Sequence, residues 1–195
     1  MSGIEIQPLP VDFDAAPRQV ATADIRDDGA FIMQGVTGTR RIEVTRAPAG
    51  WMLEAVRAGD ADITDQAVQF GTPAQSRNDI EVVLTDRLSG VGGTVTNDRG
   101  SGVPGVQVIV FPIDDALRYA GSRYFATAHT SDTGAFKISG VPPGSYYVGV
   151  VSRSRDKDPD SWQDPQMLES FARSAQSIVV GDGATTTINL RLSTQ

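Results

Sequence analysis

His129, Ser131 and Asp132 are the residue types that could together supply a base, a nucleophile and an orienting acid. They crowd one short stretch, where strand neighbours point to opposite faces, and no nucleophile-elbow pattern surrounds the serine. The ingredients of Ser-His-Asp catalysis are present without its geometry. His129 is the sole histidine, so a zinc site built from two histidines and a carboxylate is excluded. It is expected in a strand, at a surface or edge position.

Carboxylates come next. Asp156, Asp158 and Asp160 alternate with Lys157 and Pro159, which places oxygen ligands at calcium-loop spacing. The stretch lacks the glycine and the late glutamate of such a loop, so a solvated loop is the primary expectation and a calcium site the secondary one. Asp24, Asp27 and Asp28, and Asp60, Asp62 and Asp65, form further acidic groups of the same kind. With no cysteine in the chain, thiol catalysis, disulfides and Cys-based metal sites are all ruled out. No cofactor is implied. Aromatic rings are the remaining candidates: Trp51, Tyr119 and Trp162 are expected to offer a ligand or partner surface, since flat exposed rings suit sugar faces and protein interfaces alike. Trp162 is also placed to staple a helix to the body of the fold, and Tyr146 is expected inside the core.

The elements that carry these residues read as β. Short alternating runs are bounded by Gly, Pro, Asn and Asp, the spacing of an all-β sandwich. Strands are predicted at Ile4–Gln7, Arg18–Asp24, Ala30–Met33, Arg40–Arg46, Trp51–Ala58 and Ile80–Leu84. In the second half they are predicted at Gly92–Thr96, Val106–Phe111, Arg123–Ser131, Ala135–Ile138 and Tyr146–Val151. Ile178–Val180 and Thr186–Leu192 read as a closing hairpin-like pair. One short helix is predicted near 164–175. Asp164 can cap it, Pro165 suits its first turn, and Leu168 and Phe171 are expected to be buried.

Asp27-Asp28-Gly29-Ala30-Phe31-Ile32-Met33-Gln34-Gly35-Val36 recurs 105 residues further on as Asp132-Thr133-Gly134-Ala135-Phe136-Lys137-Ile138-Ser139-Gly140-Val141. Ile4-Glu5-Ile6 to Pro10 similarly resembles Val108 to Pro112. The chain therefore reads as one β unit used twice, residues 1–86 and 87–195. The first copy lacks a counterpart to Gly92–Thr96. The expectation is a chain that begins inside a domain or a first strand that comes from elsewhere; either leaves an open sheet edge, and with it a means for two copies to pair.

Charge and hydropathy bound the partners. Lys and Arg number 17 against 24 Asp and Glu, a net charge of −7, which argues against nucleic acid or an anionic membrane surface. The longest apolar run, Val106 to Pro112, is far short of the ~18 residues of a membrane span. The start, Met1-Ser2-Gly3-Ile4, does not read as a signal peptide.

The run Gly93-Thr94-Val95-Thr96, Pro104-Gly105-Val106-Gln107-Val108, Asp132-Thr133-Gly134-Ala135-Phe136 and Val141-Pro142-Pro143-Gly144-Ser145-Tyr146 resembles the carboxypeptidase regulatory-like domain family. That family shares its Ig-like sandwich with transthyretin-like domains and collagen-adhesin B-type repeats. The resemblance covers Leu88 to Leu192 well and Ile4 to Leu84 more weakly. It implies two tandem sandwiches of a bacterial exported protein, located extracellularly, in the periplasm or at the cell surface. The intradiol dioxygenases of the same topology need paired Tyr and His ligands, which one histidine cannot supply. The implied role is a non-catalytic spacer or protein-interaction module; the alternative is a carbohydrate-binding module serving an enzyme elsewhere in a longer chain. The partner is thus a protein or a glycan.

Overall fold

The structure is a computed structural model that describes residues 3–11, 22–71, 77–151 and 165–192. The chain divides into two compact units, Met1–Asp86 and Arg87–Gln195.

Unit 1 contains β1 (Glu5–Pro10), β2 (Asp24–Ile25), β3 (Phe31–Ile32), β4 (Gly38–Arg46), β5 (Met52–Ala58), β6 (Ala61–Asp62), β7 (Val68–Phe70) and β8 (Ile80–Thr85). One sheet has the order β1-β4-β7 and another β6-β5-β8, while β2 and β3 form a hairpin of their own. Ile6 and Ile42 of the first sheet meet Leu53 and Val56 of the second in the core, with Phe31, Val82 and Leu84 packed around them. Strand β1 runs on to Pro10 rather than ending at Gln7. It does so because β4 supplies its partners throughout, from Arg46 opposite Glu5 to Arg40 opposite Pro10. Pro8 and Pro10 carry no N–H, and β1 is an edge of its sheet, where a missing donor is tolerated.

Unit 2 contains β9 (Gly90–Thr96), β10 (Gln107–Pro112), β11 (Ala126–His129), β12 (Ala135–Ser139), β13 (Gly144–Val151), α1 (Pro165–Ala172), β14 (Gln176–Val180) and β15 (Thr185–Arg191). Its sheets are ordered β11-β10-β13-β14 and β12-β9-β15. Between them lie Val91 and Val95 of β9, Val108 and Val110 of β10, Phe136 and Ile138 of β12, and Ile188 and Leu190 of β15. Tyr146 is fully buried there, its hydroxyl donating to the Pro142 carbonyl at 2.6 Å. The ring thereby fills the core while its polar tip is satisfied. The all-β class and the sandwich layout expected from the sequence are those of the molecule.

Strand β10 is buried on both faces. Helix α1 is the reason. Leu168 packs on Ile109 and Phe111, on the face of the sheet away from the main core, with Tyr147, Val151 and Phe171 around them. Phe171 lies so close over β13 that a Cβ on Gly149 would sit 3.2 Å from its ring. Only a side-chain-free residue lets the helix seat without displacing it. At one margin Arg118 stands 5.4 Å from the Phe111 ring centre and donates from Nε to the Pro112 carbonyl at 2.8 Å. The helix spans fewer residues than the expected 164–175, and Leu168 is buried while Phe171 is partly so.

Two strand expectations are corrected, and the strand expected over Arg18–Asp24 lies mostly outside the described residues. Ile178–Val180 and Thr186–Leu192 do not pair as a hairpin: β14 joins β13 and β15 runs parallel to β9. The intervening turn carries the chain from one sheet to the other. The strand expected over Arg123–Ser131 shortens to Ala126–His129, since β10 offers partners only from Val110 to Gln107. Strands β6 and β7 were not expected at all, being too short to show alternation.

Candidate functional site

The catalytic residue types fall where they cannot cooperate. His129 is exposed on the edge strand β11, opposite Gln107. Ser131 belongs to the turn before β12, its backbone bonded to the Ala135 carbonyl and its hydroxyl 3.0 Å from that of Thr133. Among the described residues no three His, Asp or Glu side chains converge as metal ligands would. Asp156, Asp158, Asp160 and Trp162 lie outside the described residues. The other acidic groups are engaged locally: Asp28 accepts from the Ala30 amide at 3.0 Å, and Asp62 from the Thr64 amide at 2.8 Å. These are turn-forming bonds of short polar side chains. Tyr119 is half-buried, with its carbonyl accepting from the Ser122 amide at 3.0 Å.

Trp51 has a different setting. It is 45% exposed, and it borders a cleft of about 680 Å³ in unit 1. One wall is the β2–β3 hairpin, with Ile25 and Phe31; the other is β8, with Ile80, Val82 and Leu84. Ile4 and Ile6 also line it. The charged side chain among the lining residues is Glu81, which pairs with Arg57 at 3.5 Å on the exposed surface. A second hollow of about 750 Å³ shares Phe31, Asn78 and Ile80 with the first. This is an apolar recess without a nucleophile–base pair. It can bind by burying surface, at roughly 25 cal/mol per Å² of apolar area removed from water.

The cleft has a counterpart in unit 2. The repeated turn folds identically in both units: Gly29 bonds to the Arg26 carbonyl and Arg26 to that of Ala30, just as Gly134 bonds to Ser131 and Ser131 to Ala135. Both glycines have positive φ, 87° and 78°, a conformation side chains disfavour. The strands before and after these turns also share register, with Pro10 opposite Arg40 and Pro112 opposite Tyr146. On this correspondence β3 matches β12 and the last strand, β8, matches β15. In unit 2 the strand between them is β9, antiparallel to β12 and parallel to β15. In unit 1, β3 pairs with β2 and β8 with β5; among the described residues no strand lies between β3 and β8, and the cleft occupies that place.

The sequence singled out Trp51 as a surface ring but read Ile80–Leu84 only as a strand. The signal that could have identified them was the missing counterpart to β9.

No family model matches the chain, and no curated protein matches it. Among solved structures it is similar to the minor pilin of Streptococcus agalactiae, with 11% identity and a TM-score of 0.37 over 99% of this chain and 83% of that one. A streptococcal ancillary pilin is matched at 15% identity and a TM-score of 0.36, covering 98% of this chain and 57% of the pilin. A dioxygenase domain from the cellulolytic Streptomyces sp. SirexAA-E is matched at 17% identity and a TM-score of 0.35, over 54% of this chain and 79% of that domain. No helix among the described residues is long and apolar enough to cross a membrane.

Proposed function

We propose that the chain is a non-catalytic structural and protein-interaction segment of a larger secreted or surface protein, and that unit 1 supplies the contact. The observation that carries this reading is the apolar cleft between the β2–β3 hairpin and β8. Its walls offer hydrophobic side chains and little chemistry. The resemblance of the turn and core residues to carboxypeptidase regulatory-like modules supports the same role, with the two units as tandem copies of one module. A fold this widely shared does not itself fix function.

The half-exposed Trp51 at the cleft mouth favours one alternative, a carbohydrate-binding module. A glycan array probed with the native chain and with Trp51→Ala and Tyr119→Ala separates the two. The protein-interaction reading expects no glycan whose binding depends on either ring. A glycan bound by the native chain and lost in Trp51→Ala would replace that reading with the carbohydrate one.

A further inference from the structure

We infer that unit 2 is a tension-bearing module, and that the parallel pair β9–β15 is the clamp that carries a pull along the chain. The inference deepens the structural half of the proposed role and rests on it. Its warrant is the path of the chain through the unit. Strand β9 follows the entry at Arg87, and β15 is the last described strand of the unit. The two lie side by side and parallel, in register from Gly90 opposite Thr185 to Thr96 opposite Arg191. The other strand pairs described in unit 2 are antiparallel.

Parallel pairing of these two strands decides how a pull is distributed. The chain enters at one end of their ladder and leaves at the other. Tension between entry and exit therefore runs along both strands and loads the slanted bonds between them together. The ladder has to give way as a whole. A pull across the same strands would open it one bond at a time, each step opposed by a single bond.

The contacts around the ladder fit this duty. Backbone bonds mark its ends: the Gly90 amide donates to the Ala184 carbonyl at 2.9 Å, and the Leu192 amide to the Thr96 carbonyl at 2.8 Å. Side chains tie the same two arms at three levels. At the entry, Arg87 pairs with Asp182 at 2.8 Å, and the buried Ser89 accepts through Oγ from the Gly183 amide at 3.0 Å. Midway, Thr94 Oγ1 donates to Asn189 Oδ1 at 2.8 Å. Near the exit, Arg191 donates from Nη2 to the Asp98 carbonyl at 3.0 Å, and its Nε stands 3.2 Å from Asp98 Oδ1. Beneath the ladder Val91 and Val95 are fully buried, with Ile188 and Leu190 in the same core. Gly93 lets the backbones close, since a Cβ there would overlap the Ile188 carbonyl. Singly, exposed polar links contribute little to equilibrium stability. Set across one ladder, they all resist the same displacement.

The chain has no cysteine, so introduced pairs define where force is applied to the full-length protein. Asp86→Cys with Gln195→Cys loads β9 against β15 in shear. Asp86→Cys with Ala184→Cys draws apart the neighbouring starts of the two strands and opens the same ladder from one end. Single-molecule stretching at one loading rate is expected to give a rupture force about threefold or more higher in the first geometry. Equal forces, or a lower one in shear, would overturn the inference. Asn189→Ala with Arg191→Ala then removes the middle and exit links. The shear force should fall by about 1.3-fold or more, while the opening force and the urea midpoint hardly move. A fall of equal proportion in both geometries would make these links general stabilisers and count against the clamp. Both readouts lie within unit 2. A Trp51-dependent glycan would replace the protein-interaction reading whatever the rupture forces are.

Discussion

Units 1 and 2 carry the same turn, the same strand register and a similar inner layer, yet they close differently. In unit 2, β9 lies between β12 and β15, and α1 covers the outer face of β10. In unit 1, the place between β3 and β8 is a cleft, and β1 is buried only at alternate positions. The difference shows that the turns and the first-sheet register follow from local sequence while the partners of β3 and β8 do not: among the described residues, the place that β9 fills in unit 2 is a recess in unit 1.

The comparison is broken or sharpened most strongly at β10 and β1. Phe111 is fully buried beneath α1, and Leu9 occupies the equivalent register position with partial exposure. Phe111→Ala is expected to destabilise unit 2 by about 3–5 kcal/mol. Leu9→Ala should cost unit 1 only about 1 kcal/mol. Chemical denaturation of the two variants measures both, and equal losses would mean that the outer faces are not covered differently.

A smaller effect is expected at the close approach within unit 2. Gly93→Ala places a methyl against the Ile188 carbonyl, which should cost about 1–3 kcal/mol as the strands shift apart. A thermal midpoint unchanged by this substitution would show that β9 is held less tightly than its neighbours imply. Smaller again is Tyr146→Phe. It removes the donor to the buried Pro142 carbonyl and should cost about 1–2 kcal/mol, read as a lower midpoint for unit 2 alone.

Much of this was legible from residue order. The Asp-Thr-Gly turn with Phe136 and Ile138 behind it announces a strand with one buried face, because alternation and turn chemistry are local properties. Pro165 together with Leu168 and Phe171 announces the helix in the same way. Strands β6 and β7, two and three residues long, have no room for a pattern. They form because β5 and β4 offer partners. The crossing of β14 and β15 into different sheets was also hidden, since a hairpin and a sheet-switching turn use the same Gly-Asp-Gly chemistry. As for the candidate site, Trp51 could be picked out as a surface ring, but the recess it borders could not. Its walls are Phe31 and Val82, far apart in the chain, and only the fold brings them together.

The central claim, that the cleft of unit 1 lies where unit 2 has β9, is tested most directly by residue-resolved amide exchange on the unmodified chain. Strand β15 is an edge strand paired with β9 alone, and its alternate amides directed at β9 should exchange only with opening of the unit as a whole. In β8, the alternate amides of Ile80–Leu84 directed away from β5 should exchange faster by about 100-fold or more. Protection of those β8 amides equal to that of the β9-directed amides of β15, in a chain shown by sedimentation to be monomeric, would contradict the account.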